Sequence, residues 1–173
     1  SRYAVSVYKF YAWLRENLLK YSVHTAEEAH KTGIPMMRPL PMVFPEDKEA
    51  VYWEDEYFYG SDLLVAPVHQ EGEKRRIYFP SGSWINLLDF RKMVGGNRIF
   101  QVDVPIDKIP VYIREGACIL SVMNGELQLG QSMTYEKKNT VLMSRALNET
   151  SGKRYADGKE IEYNILGKTG EDF

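Results

Sequence analysis

Residues 32–68 decide the fold. They read Thr32-Gly33-Ile34-Pro35-Met36-Met37-Arg38-Pro39-Leu40, then Val43-Phe44-Pro45-Glu46-Asp47, then Glu54-Asp55-Glu56-Tyr57-Phe58-Tyr59-Gly60-Ser61-Asp62-Leu63-Leu64-Val65-Ala66-Pro67-Val68. Gly33 suits the left-handed residue that stops a helix, and Pro35 forbids its continuation. Met36–Leu40 is an extended apolar run around one arginine, too short for a helix and interrupted by Pro39 and Pro41. Leu63–Val68 is a continuous apolar run ended by Pro67, the pattern of a strand buried on both faces.

On the N-terminal side, residues 4–31 carry the one long helical pattern. Val7, Phe10, Tyr11, Leu14, Leu18, Tyr21, Thr25 and Ala29 recur at three- and four-residue steps, which puts them on one face. On the C-terminal side, short apolar runs alternate with Gly, Pro and Asn, as in an all-β domain. Strands are expected at Leu63–Ala66, Arg76–Phe79, Trp84–Asn86, Phe100–Val104, Val111–Arg114 and Ala117–Leu120. Further ones are expected at Glu126–Leu129, Thr140–Met143 and Ile161–Asn164. Pro80-Ser81-Gly82-Ser83 and Gly95-Gly96-Asn97 are the clearest turns, and polar segments such as Asn148–Gly152 separate the last strands.

Composition sets the outer limits. The chain has 173 residues, 44% hydrophobic and 13% aromatic, enough for one medium domain or two small ones. Its 24 acidic and 22 basic residues give a formal charge of −2, which offers no electrostatic case for nucleic acid. No apolar run approaches the ~20 residues of a membrane helix. The single cysteine, Cys118, cannot form an internal disulfide and reads as a core residue. The chain opens Ser1-Arg2-Tyr3 without Met or a signal pattern, so we take that start as a cut or processed end, and localisation is not legible.

The ordered motifs resemble glycoside hydrolase family 31, the α-glucosidase and α-xylosidase family. The matching positions are Thr32-Gly33-Ile34-Pro35, Arg38-Pro39-Leu40, Phe44-Pro45-Glu46-Asp47 and Gly60–Val68. Arg76–Trp84 and Ile109–Ala117 continue the match, which covers about residues 11–120. Lys20 stands where the family usually has proline, which removes the usual cause of a helix kink, and Pro41 stands where it has a bulky apolar residue. The resemblance implies a mainly β chain with an N-terminal helix. Residues 1–45 would be the last helix and strand of a (β/α)8 barrel, 46–120 an antiparallel β-sandwich, and 121–173 a β-rich tail that begins a distal β-domain. The parent would be a retaining α-glycosidase that cleaves α-linked glucosides or xylosides without metal or cofactor. Its catalytic aspartates would lie upstream, so this chain would be structural support, inactive alone, with no catalytic, cofactor-binding or metal-binding residue of its own. The alternatives are a stand-alone carbohydrate-binding or interaction sandwich, and a structural assembly domain that self-associates through the N-terminal helix.

The residues with chemical potential each have a plainer reading. Retaining glycosidases need two carboxyl groups about 5 Å apart on rigid elements. Glu46, Asp47, Glu49, Glu54, Asp55 and Glu56 instead read as a solvated loop. His24, Glu28 and His30 do not converge, because helix positions six apart face different ways. His69 reads as an exposed loop histidine without a partner. Arg38, charged inside an apolar run, needs a carboxylate or carbonyl partner and reads as a structural anchor. Trp53, Tyr57, Phe58 and Tyr59 suit packing better than a sugar platform.

Overall fold

The computed structural model describes residues 1–70, 72, 74–89, 93–124, 128–132, 139–144, 150–156 and 159–165. It opens with helix α1 (Arg2–Asn17), whose first turn is capped by Ser1 accepting from the Ala4 N–H at 3.2 Å. Helix α2 (Leu19–Thr32) follows after a break at Leu18. The helical stretch of residues 4–31 is therefore two helices, although no proline is present. A side-chain contact sits at the break. The Ser22 hydroxyl donates back to the Leu18 carbonyl at 2.9 Å, a contact that bends helices. Asn17, fully buried, donates Nδ2 to the Val122 carbonyl at 2.7 Å and accepts the Gly130 N–H at 2.8 Å. These bonds pin the end of α1 to a strand more than a hundred residues away. Gly33, at φ 75°, ends α2 as its sequence position predicts.

Next come β1 (Met37–Pro39), a single turn of helix α3 (Leu40–Val43) and a 3-10 turn at Ala50–Tyr52. The extended run expected over Met36–Leu40 thus stops at Pro39, the N-cap of α3, and Pro41 sits in the first turn of that helix, where its missing N–H costs nothing. Strands β2 (Tyr57–Tyr59), β3 (Leu63–Val65), β5 (Ser83–Asn86), β6 (Met93–Gly95) and β8 (Val111–Arg114) join β1 in a six-stranded antiparallel sheet of order β1-β2-β3-β8-β5-β6. Strand β4 (Lys74–Phe79) pairs with β7 (Arg98–Asp103), and β9 (Cys118–Met123) with β10 (Asn139–Ser144). Strands β11 (Thr150–Ala156) and β12 (Lys159–Ile165) form a hairpin. Strands β2, β6 and β11 were not expected, and β11 occupies a segment read as a polar separator. Of the strand expected at 126–129, residues 126 and 127 lie outside the described residues and Leu129 sits in a turn.

The six-stranded sheet is covered on both faces, so its central strands read as apolar runs. Side chains alternate across it with period two. Leu64, Trp84 and Tyr112 join Phe58, Ile77 and Phe79 in a core beneath β4 and β7. Their neighbours Leu63, Ile85 and Ile113 join Tyr21, Leu87 and Ile119 in a second core beneath α2 and β9. The predicted helix face is the one that turns inward: Leu14, Tyr21 and Thr25 are buried, and Val7, Phe10, Tyr11, Leu18 and Ala29 are half-buried.

Candidate functional site

The six carboxylates between Glu46 and Glu56 do not share one environment. Glu46 and Glu54 are exposed. Asp47 accepts the Tyr78 hydroxyl at 2.6 Å and the Glu49 N–H at 3.0 Å. Glu49 accepts the Trp53 indole N–H at 3.1 Å. Asp55 pairs with Arg75 at 2.9 Å and with His69 at 3.1 Å. His69 is exposed as expected, but it does have a partner.

Glu56 overturns the solvated-loop expectation. It precedes β2 and points inward, 2% exposed. One oxygen accepts the Tyr78 N–H at 3.0 Å, and the other has no hydrogen-bond partner among the described residues. Burial, ahead of any charge, pushes this carboxyl up to about 8; the Tyr78 N–H and Arg75 pull it down, and Asp55 adds to the rise. Such a value flags functional sites in general. Here the group is sealed in the core where no substrate reaches it.

Arg75 ties this corner together. It is 6% exposed and donates to the carbonyls of Pro67, Arg76 and Asp55 at 3.2, 2.8 and 3.3 Å, in addition to its Asp55 ion pair. The segment before β2 is thereby fastened to β4. Tyr78 lies under Trp53, with ring centroids 5.8 Å apart and planes 18° apart. Phe58 is fully buried, and the Tyr59 hydroxyl donates to Ser22 at 2.7 Å. The aromatics of this stretch mostly pack, as expected.

Elsewhere, Arg38 is buried and takes both partners anticipated for it: Nη2 meets the Glu28 carboxylate and Nε donates to the Pro35 carbonyl at 2.8 Å. Glu28 is thus engaged, His24 lies against the Tyr21 ring, and no group of three potential ligands for a metal exists among the described residues. Cys118 is buried in β9. Among the described residues no helix is long and apolar enough to cross a membrane.

Sequence reasoning missed Arg114. Its guanidinium sits 4.8 Å from the Phe44 ring, 5.6 Å from Trp84 and 5.8 Å from Phe58. Burial lowers its pKa, and Asp62 opposes that. Cation–π attraction suits a weakly hydrated guanidinium in such a cage. Its place in the Ile109–Ala117 motif was the available signal.

Between the helices and the sheet runs an apolar groove of about 530 Å³, with Leu14, Leu18, Met36, Tyr57, Leu63 and Val111 among its walls. Its walls are mostly apolar side chains, and they carry no carboxylate.

Residues 33–119 match the glycosyl hydrolase family 31 C-terminal domain. An isomaltosyltransferase of Sporosarcina globispora is 34% identical over 127 residues, which are 73% of this chain and 12% of that protein. Alpha-glucosidase 2 of Bacillus thermoamyloliquefaciens is 32% identical over 65% of this chain and 14% of its own length. A cycloalternan-forming enzyme of Listeria monocytogenes, solved with a pentasaccharide substrate, superposes with a TM-score of 0.90 at 27% identity. That superposition covers 97% of this chain and 16% of the enzyme. The chain therefore spans 12–16% of the length of these relatives.

Proposed function

Because this chain belongs to glycosyl hydrolase family 31, we propose that it is the C-terminal part of a retaining α-glycosidase acting on α-linked glucosides or xylosides. In this proposal it is structural support: residues 1–45 end the catalytic barrel, 46–120 form the sandwich behind it, and 121–173 begin a distal β-domain. It lacks the catalytic aspartates and is inactive alone. Carbohydrate reaches it through the parent enzyme, with no metal or cofactor.

The observation that carries this reading is the apolar groove beside α1 and α2. A cleft of about 530 Å³ with Leu14, Leu18, Leu63 and Val111 in its walls is the surface of an element meant to be packed against, in keeping with the small share of its relatives that the chain spans. The carboxylates point the same way. Asp47, Asp55 and Glu56 are each engaged within the sandwich, and Glu56 is buried.

Incubation of the purified chain with aryl α-glucosides and α-xylosides tests the proposal. No turnover above a blank is expected. Turnover that disappears on substituting a carboxylate within residues 46–56 overturns it. The same groove favours a second reading, self-association of the isolated chain through the helical side, since a two-fold pairing is the commonest closed solution. Sedimentation at micromolar concentration distinguishes a dimer from a monomer.

A further inference from the structure

The outer side of β4 concentrates polar and aromatic side chains that the support role does not use. The 3-10 turn Ala50–Tyr52 throws Tyr52 into solvent, 77% exposed. Trp53, half-buried, lies flat on Tyr78 with the Arg76 guanidinium 5.8 Å from its ring centre. Its indole N–H is held by Glu49, so the ring is fixed in orientation. Tyr52, Trp53, Glu54 and Arg76 line a cleft of about 440 Å³, within the ~300–1,000 Å³ of small-molecule sites. A second cleft of about 370 Å³ shares Trp53, Asp55 and Arg76 and adds His69, Lys74 and Gln101. The two meet along the Trp53–Arg76 ridge.

We propose that this ridge binds a neutral oligosaccharide of the α-linked glucan class. A pyranose ring offers flat C–H faces to an aromatic ring and a rim of hydroxyls to planar groups that donate and accept. The ridge supplies both, in rings with an apolar body and a polar edge. Charge argues against an ionic ligand. Glu49, Glu54 and Asp55 stand opposite Lys74 and Arg76, so neither a strong cation nor a strong anion gains across both clefts. Two clefts joined over one indole suit several sugar units in a row better than a single one. Packing on Tyr78 accounts for one side of Trp53, but it gives no role to the outward projection of Tyr52 beside it. The α-linkage rests on the glycosidase reading above; the site itself rests only on the ridge.

The test is a two-dimensional N–H NMR titration of the full chain, following the Trp53 indole resonance with isomaltotriose, maltotriose and cellotriose. A saturable shift with at least one α-linked trisaccharide is expected. Tyr52→Ala and Arg76→Gln, both at exposed positions, should each weaken it by about tenfold, with the rest of the spectrum unchanged, and Tyr52→Phe should retain it. No saturable shift with any sugar overturns the site. So does a shift that both variants leave intact. Cellotriose binding as well as the α-linked sugars overturns the linkage class and, with it, this link to the parent activity, while the aryl-glycoside assay judges the support role separately.

Discussion

On one face of the six-stranded sheet, Leu64, Trp84 and Tyr112 are sealed beneath β4 and β7. On the other, Leu63 and Leu87 lie beneath the helices yet border a groove of about 530 Å³. The residues alternate along the same strands and are equally apolar, so what differs is the cover. The closed face is finished by the β4–β7 pair, whose two strands both lie within residues 74–103 and are linked through β5 and β6. The helical face depends on pieces distant in sequence, and α1 and α2 do not fill it. A sheet can therefore be well ordered on both faces while only one of them is fully covered, and under the proposed support role the open one is where further protein would pack.

The sharpest way to break this comparison is to cut into the closed face. Trp84 is fully buried among Phe44, Phe58 and Phe79 and donates its indole N–H to the Pro80 carbonyl at 2.9 Å. Trp84→Ala should cost about 3–5 kcal/mol, and it removes one wall of the Arg114 cage. Denaturant midpoints equal to those of the unsubstituted chain would contradict the packing described here.

Paired truncations sharpen the contrast. Leu64 and Leu87 are both fully buried, yet only Leu87 borders the groove. Each Leu→Ala change should cost about 2–5 kcal/mol, with Leu64 toward the upper end, because the cost depends on how well the site can collapse. Chemical denaturation of the two variants measures the difference, and a larger loss at Leu87 would mean that the helical face is the tighter one.

Glu56 makes the closed face sensitive to pH. Its carboxyl is raised from 4.5 to about 8 in the folded chain, so the folded state holds a proton that the unfolded state has released. Below about pH 4.5 both states are protonated and the linkage contributes nothing. As pH climbs toward 8 the protein loses stability, and above that both states are ionised and the slope flattens. Glu56→Gln keeps an acceptor for the Tyr78 N–H and cannot ionise. It should raise stability by on the order of 4 kcal/mol at pH 8, with the gain shrinking toward pH 4.5. Thermal melts across that range check it, and a variant whose advantage grows as pH falls would reverse the assignment.

On the helical side, Asn17→Ala leaves the Val122 carbonyl and the Gly130 N–H without their side-chain partner. The expected loss is about 1–3 kcal/mol, smaller than the core truncations. Amide exchange at Gly130 should quicken with it; exchange that stays unchanged would mean the bond has little part in holding α1.

What was legible in the sequence was mostly local. Gly33 announces the end of α2, because only the next two residues are needed to see it. Leu63–Val65 and the Trp84 turn show themselves as apolar runs between breakers. Arg38 was legible because a charge inside an apolar run demands a partner, although the sequence did not say that Glu28, ten residues earlier, would be that partner. The misses depend on distance. Asn17 looks like an ordinary polar helix residue until Val122 and Gly130 arrive beside it. Tyr57–Tyr59 is three residues long and follows Glu54-Asp55-Glu56, so its strand character comes from pairing with β1 and β3 rather than from its own pattern. Glu56 loses acidity by facing inward, which the neighbouring acidic residues conceal. The Arg114 cage likewise draws on Phe44, Phe58 and Trp84 from three separate segments.

Gly60, in the turn between β2 and β3, has a consequence for the order in which the chain assembles. Its φ is 66°, and a Cβ there would meet the Tyr21 hydroxyl at 2.3 Å and the Thr25 methyl at 2.5 Å. Tyr21 donates across this gap to the Tyr59 carbonyl at 2.8 Å and accepts the Asp62 N–H at 3.3 Å. The ring thus latches a helix to a hairpin about forty residues along the chain, a short loop to close compared with the ties to β9. Our hypothesis is that α2 and the β2–β3 hairpin come together early in folding and serve as the platform on which β8 and then β9 are laid. Pulse-labelled hydrogen exchange during refolding should find amides of 19–32 and 57–65 protected together, ahead of those in β9. Protection that reaches β9 first would reverse that order.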